Sequence, residues 1–599
     1  MKDLWDDEET EIVILVDAAN AFNALDRQAA LWNSRILWPR ASLFLFNTYR
    51  GYARIFVRGV KIPVLRREGT TQGDPLAMMM YAVGVLPLVL GLKNTECYIQ
   101  SWYADDSGCG GKMNPVRIWL DKLMVQGPKF GYYPEPTKSI AIVKDGFLEK
   151  AKEKFGDLGI EFVEASKILG GFLGKSDKVR ELLTEKVHKW VESVEDLADA
   201  AVRYPQDAYT AFIKSLQCEW GYLQRAVESD AQEFEALDKV IQEISLPAVF
   251  GWQLRNWEYD IVKLPVNKGG LGIRSPSETC KRTHNISVDG TSVLVESVKS
   301  GAKFEVDDHV ERLRAVKMAV TNEKYQKDSE QAELIIGNLP KKPRRVLERV
   351  VKENSSGWLS MGSSRKEGFD LSAEMFRDRL DIRNGKELKG LPTVCDGCGA
   401  RLSLEHALNC KKGGNVKYGH DQMREECALL AEMAYGKVVM EPYLKDSTGA
   451  MITDKNLRAD FMAIGVWERQ RVAFFDNCII DADAPSRFSR NTNSQTAMAS
   501  AVRAKRRLYN EAWEDVRASI TPLVCTADGA FDREFVAFQK RVAARLATKW
   551  QRPFSVLINY VRVRLRFALI RAIDLRIRGS RKRIHGTGFM DGAGLGLVF

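Results

Sequence analysis

Three sets of side chains in this 599-residue chain have the types and spacing to do chemistry. Asp105 and Asp106 stand together in SWYADDSGCGG, at the tip of an expected hairpin, and Asp17 follows the short apolar run IVILV. Adjacent carboxylates repel. If strand pairing brings Asp17 alongside them, divalent ions reconcile the three charges: hard oxygen ligands suit Mg²⁺ (or Mn²⁺), and two ions about 3.5–4 Å apart serve phosphoryl transfer. A pair of turn aspartates with nothing bound is the competing reading of the dipeptide alone. Cys395, Cys398, His406 and Cys410 follow C-x2-C-x7-H-x3-C in a chain with six histidines. Three thiolates and an imidazole are the donor set of a closed, tetrahedral Zn²⁺ site, with Asp396–Gly397 as its turn. Asp460 and Asp476 have fifteen residues between them, the first before a short strand and the second ending the apolar strand VAFF. A β-hairpin would carry both to one metal; two strand-end aspartates without metal is the alternative.

The elements that must position these groups follow from period and punctuation. IVILV (12–16) reads as a buried strand, and a helical pattern follows it. Residues 53–65 read as a hairpin turning at Arg58–Gly59, then a loop, RREGTTQGDP, leads into an apolar helix from Leu76. Residues 97–104 alternate as a strand, with the turn expected over Ser107–Gly111. Helices are expected at 115–127, 147–155 and 177–203, and through 204–250 with Tyr209, Phe212, Trp220 and Tyr222 as aromatic anchors. Proline and glycine cluster at 264–276, which marks a boundary. Residues 276–390 form a charged, helical linker region, and LPKKPRR (339–345) reads as a surface loop, with a nuclear-import signal as the other reading. After the cysteines an α/β pattern runs to about residue 535, and a basic helix follows.

Length and charge bound the function. A chain of 599 residues exceeds one core. The net charge is +10, and from Lys549 to Arg583 eleven Lys or Arg face one acid, Asp574, which fits a polyanionic partner. Arg562, Arg566 and Arg576 on NYVRVRLRFALIRAIDLRIR would contact phosphates; an amphipathic membrane-surface helix is the rival. The uncharged run Leu76–Leu92 is seventeen residues, short for a span of about 20, and the first ten residues are acidic. The cysteines lack the pattern of a secreted disulfide framework, so an intracellular, reducing compartment is expected, nuclear if LPKKPRR is read as an import signal.

The blocks VDAANAFN (16–23), EGTTQGDPLAMMMYAVGVLPL (68–88), WYADD (102–106), FGYYPEPTKSIAIVK (130–144) and KILGGFLG (167–174) resemble, in order and spacing, motifs A to E of the reverse transcriptase palm, of the non-LTR retrotransposon type. The resemblance implies that Asp17, Asp105 and Asp106 bind the catalytic metals. It makes Phe22 the steric gate against a ribose 2′-hydroxyl, and Gln72 and Gly73 contacts to nucleotide and template. Lys138 becomes a general acid toward pyrophosphate, and Leu169–Gly170–Gly171 the primer grip. It also implies basic fingers ahead of motif A, where about ten residues stand here; the expectation is a truncated chain with weak or absent polymerase activity. The CCHC set is similar to the knuckle that such elements carry before a restriction-enzyme-like nuclease. LRADFMAIGVWERQRVAFFDNCIID resembles the PD-(D/E)xK core of that nuclease, with Ala459 for the usual proline and Cys478 where the lysine would stand. Lys505 is the displaced replacement, and Glu441 an outer carboxylate.

The expected architecture is multidomain, α+β and α/β: a right-hand palm (1–176), helical thumb (177–275), linker region (276–390), zinc knuckle (391–425), PD-(D/E)xK-like nuclease (426–535) and basic helical tail (536–599). The expected function is RNA-directed DNA synthesis coupled to DNA nicking for target-primed reverse transcription. The partners would be an RNA template, a DNA target and dNTPs, with no membrane. An RNA-dependent RNA polymerase or maturase on the same palm, or a nucleic-acid-binding remnant without activity, are the alternatives.

Overall fold

The computed structural model describes residues 1–71, 73–93, 98–443, 458–508 and 518–582. Gln72 lies outside the described residues, as does the tail from residue 583. The chain is mixed α+β and divides into two compact units. One comprises Met1–Lys189, Gly221–Glu235 and Thr279–Lys317; the other comprises Trp190–Trp220, Ala236–Glu278 and Met318–Phe599.

The first unit holds β1 (Ile12–Val16), β2 (Ala53–Ile55), β3 (Val64–Arg66), β4 (Tyr98–Tyr103), β5 (Asp106–Gly111), β6 (Ile140–Val143), β7 (Glu161–Val163), β8 (Ala165–Ile168) and β9 (Gly171–Gly174). Its main sheet has the order β4-β5-β1-β6-β7. β1 is apolar at every position because it is covered on both faces. Ile12, Ile14 and Val16 enter a core with Met80, Tyr81, Trp119 and Leu123, while Val13 packs on the opposite face with Trp5, Ile142 and Leu173. Alternate side chains of one strand thus bind two layers to the sheet. The apolar run became the helix Ala77–Leu92, buried along Met80, Tyr81, Gly84, Val85 and Leu88. Among the described residues, no helix is long and apolar enough to cross a membrane. The helix Pro39–Tyr49 and the β2–β3 hairpin leave large apolar groups in solvent, among them Leu43, Phe44, Phe56 and Ile62.

The second unit carries β10 (Val439–Met440), β11 (Phe461–Ile464), β12 (Val472–Ile480) and β13 (Ala518–Thr526), paired in that order. β12 and β13 run parallel, so the chain must cross over between them. The helix Ser494–Leu508 lies on that crossover. Helices Asn415–Tyr435, Arg533–Trp550 and Phe554–Arg578 pack with the sheet around Phe461, Phe475, Phe535 and Phe538.

Four local expectations need correction. The turn between β4 and β5 is Ala104–Asp105, and 106–111 is the return strand itself. Asp476 lies in the middle of β12, which runs on to Ile480. LPKKPRR is no surface loop: Lys341–Lys352 is a helix, and Pro343 is tolerated in its first turn, where backbone N–H groups lack intrahelical partners anyway. Arg345 and Arg349 of that helix pair with Asp483 at 3.1 and 2.5 Å. The basic segment is a helix, yet a core one: Leu557, Val561, Leu565, Leu569 and Ile573 fill the centre of the unit. Its arginines are correspondingly engaged, Arg564 with Glu426, Arg578 with Asp378 and Arg576 with the Val416 carbonyl. Arg566 and Arg576 are only 7% and 3% exposed, so neither stands on an open outer face of the helix.

Candidate metal-binding centres

The first carboxylate group is assembled by register. β1 and β5 pair antiparallel with Val16 opposite Ser107, so one step further sets Asp17 across from Asp106. Asp105 occupies the two-residue link to β4, where Ala104 takes a φ of +56°. Burial raises the Asp106 pKa above the ordinary carboxylate value, and the charges of Asp105 and Asp17 raise it further. The Tyr132 hydroxyl donates to the Asp105 carbonyl at 2.9 Å and lies 2.8 Å from Ser107 Oγ, which braces the hairpin from below. Asp17 is tied on its other side: its N–H donates to Ser139 Oγ at 3.3 Å, and its carbonyl accepts from Glu135 N–H at 2.8 Å. Lys138 is therefore next to a residue bonded to Asp17, on the short 3₁₀ turn Pro136–Lys138, with its side chain in solvent. Phe22 is stacked on buried Tyr81 with ring centroids 4.5 Å apart, and its carbonyl accepts from Thr70 N–H at 2.8 Å. Gly73 is exposed with φ +87°.

Gly170 and Gly171 lie at the β8–β9 hairpin. Leu169 and Gly170 form its two-residue turn, both at positive φ (+47° and +82°), the signature of a type I′ turn. A Cβ on Gly170 would come within 2.9 Å of the Tyr222 ring, whose hydroxyl donates to the Leu169 carbonyl at 2.5 Å. Tyr222 is thus half-exposed and clamps this turn, while Tyr209, Phe212 and Trp220 are buried as expected.

The four zinc-type ligands come together. Their donor atoms all lie within 4.8 Å of one another, with Cys395 Sγ 3.9 Å from Cys410 Sγ, Cys398 Sγ 4.0 Å from Cys410 Sγ, and Cys398 Sγ 3.3 Å from His406 Nε2. A tetrahedral ion with Zn–S of about 2.3 Å sets its sulfurs about 3.8 Å apart, so the donor set fits Zn²⁺. Two local structures present it: a tight turn in which Gly399 N–H donates to the Cys395 carbonyl at 2.8 Å, and the short helix Leu404–Asn409, capped by Ser403, which bears His406. The Asp396–Gly397 step is needed for a different reason than turn formation. The left-handed residue is Gly399, whereas a Cβ on Gly397 would meet Arg581 Cβ at 2.6 Å. Asp396 in turn accepts from Arg581 N–H at 2.8 Å and Ser580 Oγ at 2.9 Å.

The third group is assembled by register too. Phe461 pairs with Phe475, so Asp460 stands opposite Asp476, and Asp460 Oδ2 accepts from Asn477 N–H at 2.6 Å. Lys505 reaches in from the crossover helix to Asp476 Oδ1 at 2.9 Å. Burial pulls its pKa down, but the Asp476 charge outweighs this and leaves it raised. His420, on the helix Asn415–Tyr435, is a residue that the sequence reading missed. Its Nε2 lies 3.1 Å from Asp460 Oδ2 and 3.1 Å from the Asn477 carbonyl, and its Nδ1 is 3.3 Å from Asp421 Oδ1. Burial lowers its pKa, yet hydrogen bonding and charge from Asp460 leave it raised. GHD (419–421) carries ligand-type residues, but no local pattern shows what their helix packs against. Glu441 stands apart from the pair, bonded to Arg424 at 2.7 Å, although its N–H donates to the Asp460 carbonyl at 3.0 Å.

Among the described residues, two groups of donors close to within 4.8 Å of one another: the Cys/His set and His420–Asp460–Asp476. The Asp17–Asp105–Asp106 trio converges without closing that far. No protein-family model matches the chain, and a search of curated proteins returns no match.

Proposed function

We propose that the chain is the polymerase and nuclease portion of a non-LTR retrotransposon protein, an RNA-directed DNA polymerase coupled to a DNA-nicking endonuclease. The observation that carries this reading is the β1–β5 register, which sets Asp17 against Asp106 beside Asp105. Magnesium or manganese held by these three carboxylates would supply activation of a primer 3′-hydroxyl and stabilisation of leaving pyrophosphate. Phe22, held by Tyr81, is the residue to exclude a 2′-hydroxyl, and the clamped Leu169–Gly171 turn the element to seat the primer.

The nuclease assignment rests on the opposition of Asp460 and Asp476 and the approach of Lys505. A divalent ion on the two aspartates would activate water toward a phosphodiester. Lys505 keeps an ammonium beside that carboxylate pair and can neutralise charge on the attacked phosphate; it does from a helix what a strand lysine at Cys478 would have done. The alternative of a binding remnant makes the opposite prediction. The test is dNTP-dependent primer extension on an RNA template and Mg²⁺-dependent nicking of duplex DNA. Weak extension above the Asp106→Asn background, and nicking lost in Asp476→Asn, are expected. Synthesis and nicking no different between wild type and these variants would overturn the reading.

A further inference from the structure

The second unit contains a cavity of about 550 Å³, lined by none of the metal-type ligands, within the size range of small-ligand sites. Its lining is unusual in charge. Lys352, Arg562 and Arg566 converge on it against one acid, Glu353. Other cations of the same helices are neutralised: Arg345 and Arg349 by Asp483, Arg564 by Glu426, Arg578 by Asp378. Arg562 makes no hydrogen bond or ion pair among the described residues. Arg566 is 7% exposed, donates to the Asn354 carbonyl, and leaves its Nε without a partner. Burial and the nearby positive charge of Arg562 push its pKa down, so the two guanidiniums repel where water cannot screen them well. Gln539, 2% exposed, also lacks a partner for its amide nitrogen. Arg566 and Gln539, each carrying one such buried atom, both line this cavity.

Three cations against one carboxylate favour phosphate. The amides Gln539 and Asn559 offer both donors and acceptors, as a base edge requires, and Phe531 adds an apolar wall. We infer that this cavity binds a nucleoside 5′-phosphate, either a free nucleotide or the phosphorylated end of a nucleic-acid strand. The inference does not depend on the polymerase or nuclease reading.

Calorimetric titration of the zinc-loaded full chain in buffer without magnesium or manganese, which leaves the carboxylate centres without their ions and the Cys/His set intact, tests it. The probes are thymidine 5′-monophosphate, thymidine, inorganic phosphate and a 5′-phosphorylated oligothymidylate. Saturable binding of the monophosphate or of the oligonucleotide is expected, weakened roughly tenfold or more in Arg562→Gln and in Lys352→Gln, the loss of one charge-assisted hydrogen bond. Melting temperature should hold in Arg562→Gln, because Arg562 has no partner to lose; Lys352→Gln is the independent check. Binding by the monophosphate assigns a free nucleotide, and binding by the oligonucleotide alone assigns a strand end. No saturable binding, equal affinity in both variants, or phosphate or thymidine binding as tightly as the monophosphate would overturn the inference.

Discussion

Within the proposed nuclease Lys505 pairs with Asp476, which is 3% exposed. Removing one partner of such a pair weakens the compensation of the other charge, which costs about 1–3 kcal/mol; removing both is less harmful. Lys505→Met is therefore expected to lower stability by about 1–3 kcal/mol in denaturant unfolding, and Lys505→Met with Asp476→Asn to recover part of it. Additive losses would mean that the two side chains do not share this energy. Asp381 provides a pH-dependent counterpart. It is 3% exposed and accepts from Trp252 Nε1 at 3.0 Å. Burial raises its pKa to about 7, against smaller lowering by Lys386 and the Trp252 bond. Between an unfolded carboxylate's value and about 7 the folded chain holds a proton that the unfolded chain has lost. Stability should accordingly fall as pH rises through this window. Asp381→Asn keeps the acceptor for Trp252 and removes the titration. Its stability advantage should grow to a few kcal/mol by pH 8 and vanish near pH 4; a pH-independent difference would assign the shift elsewhere.

Elements show what the sequence could and could not convey. β1 was legible because a strand covered on both faces must be apolar at every position, and the helix from Leu76 because its apolar run has helical length. The zinc set was legible because its spacing is local. The Asp17–Asp106 and Asp460–Asp476 oppositions needed only the assumption of antiparallel pairing. His420 was not legible, since nothing nearby in the chain shows that its helix packs against β12. The role of the terminal helix was misread for a related reason: its arginines recur on all sides, and only packing reveals that they pair inward with Glu426 and Asp378. For the Cys/His element, metal binding to thiolates and folding are one equilibrium. A zinc chelator, or Cys395→Ser, is expected to release stoichiometric zinc and to raise amide exchange across residues 391–414, with exchange in β12 and β13 little changed. Retained zinc in Cys395→Ser would remove the assignment.

At the scale of the whole molecule, each unit has its own core, and the first leaves an apolar surface on the helix Pro39–Tyr49 and the β2–β3 hairpin. Phe56 and Ile62, 80% and 79% exposed, contribute little to folding and much to self-association. Phe56→Ser with Ile62→Ser should raise solubility in light scattering without shifting the melting transition; an unchanged aggregation onset would locate association elsewhere.

The bond from Asp396 to the Arg581 backbone spans 185 residues. A ribosome must therefore deliver position 581 before the cysteine loop can rest on its seat, and the helix Phe554–Arg578 that fills the core leaves the exit tunnel only shortly earlier. Seating of the cysteine loop thus waits for residue 581 to be translated, and until then the nascent Cys395, Cys398 and Cys410 thiols lack that support, open to oxidants and chaperones alike.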